Sequence, residues 1–336
     1  MIEDPNTIKS PITGGKVTLK WERRDMVFRK ESFKVMVPYF LCQDTGESFT
    51  TTESDMVWCR QLYNQYAQKY GIPFTDEIIA IRERYGLSAQ KMSLLLGFGD
   101  NQWRKYEQGE VPSVSNGRMI RSIMNPKVML EMVESSRQEL DAKEYRRISE
   151  RVRAEISRGD EYRIEQWERN RVFSGVRCAD NGFAPLSLER LKNLMLRILE
   201  SCSDVWCTKM NKLLFYIDFL TFRNRGMAIS GLLYRAIEFG PVPDKWDRVY
   251  SEFQEIEQVF KPLGDFEGNL LTATQKADMS MFAEDEIILI DMVCARFGKC
   301  SARELSRISH EEKAWINHKA NSERIPFSDA FELKAI

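Results

Sequence analysis

A helix without a polar face constrains this chain more than any other feature. In Lys212–Phe222, KLLFYIDFLTF, the residues Leu213, Leu214, Phe215, Tyr216, Ile217, Phe219, Leu220 and Phe222 leave little of the circumference polar. Such a helix is buried on all sides when the protein is soluble. No apolar run in the sequence approaches the length of a membrane span, so a central core helix is expected, with no membrane partner. Tyr216 and Asp218 within it are read as core groups and not as catalytic ones.

Around it the pattern is mixed. LKNLMLRILESCS, from Leu191 to Ser203, has helical spacing, and a strand pair is expected around Ile229 to Phe239. Then follows AIEFGPVPDKW, from Ala236 to Trp246. Its prolines fix φ and remove donors, so Gly240-Pro241-Val242-Pro243 reads as a rigid connection outside helix and sheet. The aromatics around this corner either plug the local core or form a preformed recognition surface.

A chain of 336 residues can hold two or three domains with cores of their own. With 49 Lys and Arg against 50 Asp and Glu, any affinity for nucleic acid must come from a local patch. The polar start MIEDPNTIKS does not read as a signal peptide, and seven cysteines without a Cys-x-x-Cys pair suit reduced thiols. A cytoplasmic protein is expected. His310 and His318 lack a nearby Cys or acidic pair at metal-ligand spacing, and there is no phosphate-cradling loop or nucleophile elbow. No catalytic residue, metal or cofactor is assigned, and the chain is expected not to be an enzyme.

The remaining segments give an α+β fold, mostly α. Residues 1–74 form a small β unit, with short strands KVTLKWERR and DMVFRKESFKVMVPYFLC and turn signals at residues 13–15 and 44–46. Residues 75–136 hold short helices. Residues 137–185 are a charged connector and linker, whose narrow stripe of Leu140, Ile148, Val152 and Ile156 suggests a long solvated helix able to pair weakly with a second copy. Residues 186–336 form the C-terminal domain.

In TDEIIAIRERYGLSAQKMSLLLGFGDNQWRKYEQGEVPS, Thr75 is expected to cap a first helix ended by Gly86, Ser88 a second stopped by Gly97, and a third runs to Gly109. This is the layout of a helix-turn-helix. Trp103 and Tyr106 would face inward toward Leu94 and Leu95. Asn101, Gln102, Arg104, Lys105 and Gln108 are then the candidate DNA-binding residues, with side chains suited to base edges and phosphates. The stretch resembles the helix-turn-helix of phage-repressor-like proteins, and more closely that of MqsA-type antitoxins. The resemblance puts Asn101 and Lys105 on base-reading positions, although the family usually has Arg where Lys105 stands. Antitoxins of that kind begin with a zinc-binding β unit. Its thiolate positions correspond here to Ser10, Thr13, Cys42 and Thr45, which implies a metal-free remnant held by Trp21, Phe28, Phe33, Tyr39 and Phe40.

The order NKLLFYIDFLTFRNRGMAISGLLYRAIEFGPVPDKWDRVY, followed by SRISHEEKAW, resembles the Panacea domain, also called the SocA-type antitoxin domain, over most of 186–320. The resemblance implies a toxin-neutralising module, often fused to a helix-turn-helix. On it rest the expected partners: a cognate protein toxin, operator double-stranded DNA and a second copy in a homodimer. Tyr234, Phe239, Pro241, Val242 and Trp246 are the candidate toxin-binding residues. The alternative is a stand-alone transcriptional regulator whose C-terminal domain senses a protein or a ligand.

Overall fold

The computed structural model describes residues 1–263 and 266–336. Strands β1 (Val17–Phe28) and β2 (Glu31–Cys42) pair antiparallel from Val17 opposite Cys42 to Phe28 opposite Glu31. The sequence suggests a break after Arg24, but β1 continues to Phe28. The reversal falls to Arg29 and Lys30, at φ 48° and 71°, the backbone of a two-residue turn that matches the strand twist. Strand β3 (Ser48–Phe49) adds to β2, and helix α1 (Thr52–Tyr70) follows. Phe40 stacks on Phe49 at 5.5 Å and packs with Ile2, Val17 and Val57.

Next come α2 (Thr75–Tyr85), α3 (Ala89–Leu95), α4 (Gln102–Glu107), α5 (Val114–Ser122), α6 (Pro126–Ser135), α7 (Ala142–Ser157) and α8 (Gly159–Val172). Gly86, at φ 61°, closes α2 with its N–H on the Arg82 and Glu83 carbonyls, and Ser88 accepts from the Lys91 N–H to cap α3. Thr75 is the first helical residue and not the cap. Phe74 holds that place, its N–H donating to the Glu77 carboxylate at 2.9 Å.

By its contacts the chain divides into two compact units, Tyr63–Glu168 and the combination of Met1–Leu62 with Arg169–Ile336. In the Tyr63–Glu168 unit, Ile78, Ile81, Tyr85, Met92, Leu95, Trp103, Tyr106, Ile120 and Met129 form one core with Leu140, Ile148 and Val152. Three of the charged segment's four stripe residues are therefore covered and Ile156 is half-buried, where the sequence suggests a solvated face, and the segment is two helices, α7 and α8. Two ion pairs hold α7 in place: Lys91 to Glu144 at 2.9 Å and Arg84 to Glu155 at 2.7 Å.

The other unit continues with α9 (Leu188–Ser201), α10 (Cys207–Arg225), β4 (Tyr234–Ile237), β5 (Gly240–Pro243), α11 (Trp246–Glu252), β6 (Ile256–Leu263), β7 (Phe266–Ala273), α12 (Glu284–Phe297), α13 (Ala302–Ser309) and α14 (Lys313–Ile316). Helix α10 is the apolar helix of the sequence, and every residue from Lys209 to Phe222 is buried. It is enclosed by α9, α12, α13, β5, β7 and the 3-10 turn Phe327–Glu332. Rings carry the packing across this unit: Phe219 stacks on Phe327 at 4.6 Å, Phe222 meets Phe331 at 5.8 Å, and Phe331 meets Trp21 of β1 at 5.0 Å. The N-terminal hairpin is thereby packed onto the C-terminal fold. The result is mixed α+β and mostly helical, as the sequence implies, and no helix among the described residues is long and apolar enough to cross a membrane.

Candidate functional site

Burying a helix on all sides also buries its polar residues, and each then needs a partner. Asp218 is fully buried and accepts four hydrogen bonds. Two come from the backbone N–H groups of Ile229 (2.9 Å) and Ser230 (2.8 Å), and two from the hydroxyls of Tyr234 (2.6 Å) and Ser230. Burial pushes its carboxyl above the usual range, against the pull of these donors. At the other clamp, Glu312 accepts from the Tyr216 hydroxyl at 3.2 Å and from the N–H groups of Lys334 and Ala335 at 2.9 and 3.1 Å. These carboxylates fasten the chain to α10. They are structural clamps.

The rigid corner is a strand, which corrects the expectation of a connection outside any sheet. Gly240–Pro243 forms β5, paired with β4 so that Tyr234 faces Pro243 and Ile237 faces Gly240. Pro241 and Pro243 sit opposite Ala236 and Tyr234, on alternate residues of the strand whose nitrogens point away from β4, so the prolines remove no ladder bond. Of the five residues expected to face a toxin, Tyr234, Pro241 and Val242 are buried and shape the corner from below. Phe239 and Trp246 are 63% and 43% exposed and form its apolar surface.

Beneath the hairpin the chain gathers Lys212 of α10, Ser309 of α13, His310 and Trp315. The Trp315 indole N–H donates to the Ile237 carbonyl at 2.7 Å, the Ser306 hydroxyl to the Phe239 carbonyl at 3.0 Å, and His310 stacks on Trp315 at 4.0 Å. Gly240, at φ 105°, fits where a Cβ would lie 2.8 Å from the Ser309 hydroxyl and 3.0 Å from Lys212 Cε. Burial lowers the Lys212 ammonium to about 8, and it also lowers the His310 imidazole, with Lys212 adding to the effect. The approach of Lys212 to His310 escapes sequence reading because it joins distant segments. The available signal was a charged residue inside an all-apolar helix.

In the other unit, Trp103 and Tyr106 are buried and Leu95 meets them in the core, while Leu94 is exposed instead of facing them. Asn101, Arg104, Lys105 and Gln108 are exposed on α4 and its ends. Asn101 adopts a left-handed conformation at φ 62°, which Asn tolerates better than most residues. Gln102 is half-buried and donates to Glu110 at 2.9 Å.

The fold also brings together the four positions aligned with zinc ligands. Cys42 Sγ lies 3.4 Å from the Thr13 hydroxyl, and hydrogen bonds from Ser10, Thr13 and Thr45 lower its thiol to about 6. One sulfur and three hydroxyls do not fit zinc, which takes sulfur, imidazole or carboxylate ligands. Among the described residues no group of three His, Cys, Asp or Glu gathers as a metal site would require.

A buried helix is thus clamped by carboxylates, with an exposed aromatic corner over one edge. Residues 210–316 match the family model described as antitoxin SocA-like, Panacea domain. The match spans α10, the clamps, the corner and Trp315. Compared with curated proteins and with solved structures, the chain finds no match.

Proposed function

We propose that this protein is the antitoxin of a toxin–antitoxin pair. It binds a protein toxin directly through the C-terminal module and represses its own operon by binding operator DNA as a homodimer. The observation that carries the reading is the SocA-like match over 210–316, together with the exposed Phe239 and Trp246 on a hairpin fixed from below. Large aromatics on a preorganised loop carry interface energy because little entropy is lost on binding. Neutralisation needs no chemistry from this chain, since covering the toxin's working surface with an interface of about 1,600 Å² suffices. Operator binding falls to α4, whose exposed Asn101, Arg104, Lys105 and Gln108 sit beside a buried Trp103 and Tyr106.

The two tasks are expected to separate by mutation. Asn101→Ala with Lys105→Ala should abolish repression of an operator–reporter fusion, at about 1–3 kcal/mol per lost base contact, while the same variant should still rescue cells expressing the toxin. Normal repression by the double variant refutes α4 as the reading helix.

A further inference from the structure

Lys212 breaks the rule that buried charges are paired. It is 1% exposed, its Nζ makes no hydrogen bond, and burial is the one influence that acts on its amine, with no carboxylate among the described residues opposing it. His310 Nε2 is likewise buried without a partner, and Lys212 is close enough to disfavour protonation of the ring. Stacking on Trp315 holds that ring in place. Gly240 lies over the ammonium, since a Cβ there would stand 3.3 Å from Lys212 Nζ. Two buried nitrogens without a hydrogen bond thus lie under one hairpin, and the Phe239 carbonyl is the acceptor that acts on the His310 ring.

We propose that Lys212 and His310 form a carboxylate-binding site beneath the β4–β5 hairpin, covered by the exposed turn Glu238-Phe239. The Lys212 ammonium and the His310 ring, once protonated, offer one donor to each of the two oxygens of a carboxylate. The anion restores the favourable charge balance of both bases, so binding near neutral pH takes up protons. The site goes beyond the toxin-binding reading and is tested without any toxin.

The chain has two histidines, so each reports separately in a proton spectrum, and His318, held by Asp329 at 3.0 Å, serves as the control. Sodium acetate is titrated into the full-length protein against sodium chloride of equal ionic strength. Acetate should shift the His310 ring resonance saturably and leave His318 in place, and Lys212→Met should weaken this by about tenfold or more. N-acetyl-aspartate methylamide then reads the source. A shift by it shows that a protein's acidic side chain fits, and inactivity beside active acetate restricts the site to a free small carboxylate. Calorimetry of acetate binding to the wild type in two buffers of different ionisation enthalpy keeps the test valid if the variant does not fold, with proton uptake expected. An unmoved His310, an equal shift in a folded Lys212→Met, or binding without proton uptake overturns the proposal.

Discussion

At Lys212 the cost of burying a charge can be followed through pH. The amine is lowered from 10.5 to about 8 in the folded chain. Between those values the unfolded chain holds more protons than the folded one, so this group makes stability rise with pH across the window, a gain lost as pH falls through about 8. Lys212→Met should therefore be more stable than the wild type at pH 7, by up to about 3 kcal/mol, with the difference shrinking toward pH 10. Urea unfolding of both proteins across that range checks it, and a difference that stays constant contradicts it. Cys42 offers a second residue-scale test. The wild type should purify without stoichiometric zinc, whereas Ser10→Cys with Thr13→Cys and Thr45→Cys should gain about one zinc per chain by elemental analysis. Zinc in the wild type would mean that the hydroxyl cluster has been misread. The sequence showed which residues stand at these four positions. It did not show that Asp218 binds Ser230 and Tyr234 or that Lys212 approaches His310, because propensity and periodicity report local spacing, while these contacts depend on how separate elements pack.

At the scale of elements, legibility followed locality. Helices α2, α3 and α4 could be read because Gly86, Ser88 and the buried Trp103–Tyr106 pair act within a turn or two of their own position. Helix α10 could be read because a helix apolar all round has one place to go. Helix α7 departs from its sequence pattern. Its charge density suggests solvent, yet Ile148 and Val152 are 1% and 0% exposed in the core of the Tyr63–Glu168 unit. Ile148→Ala should then cost about 2–5 kcal/mol and lower the melting temperature, the range for truncating a buried aliphatic side chain. A connector helix in solvent would lose almost nothing, and that result would return α7 to the linker.

At the scale of the molecule, the chain interleaves its parts. Residues Met1–Leu62 pack with Arg169–Ile336, and Tyr63–Glu168 is a separate compact unit between them in sequence. Linear reading places the β unit at one end and the SocA-like domain at the other. The contact of Trp21 with Phe331 and the bond from the Arg60 guanidinium to the Arg225 carbonyl, at 2.8 Å, join those ends, and pairings at such separation leave no periodic trace in sequence. Truncation at residue 186 would expose the apolar surface that the hairpin covers, so the proposed neutralising surface is better tested by substitution in the full chain. Phe239 and Trp246 are the aromatics left exposed at the corner.

The most direct measurement is growth rescue of toxin-expressing cells by the full chain carrying Phe239→Ala and Trp246→Ala, with circular dichroism and melting recorded on the same protein. The expected variant folds and melts like the wild type but fails to rescue, because these side chains carry binding energy and little core packing. Full rescue by the folded variant would contradict this and move the toxin-binding surface elsewhere on the module.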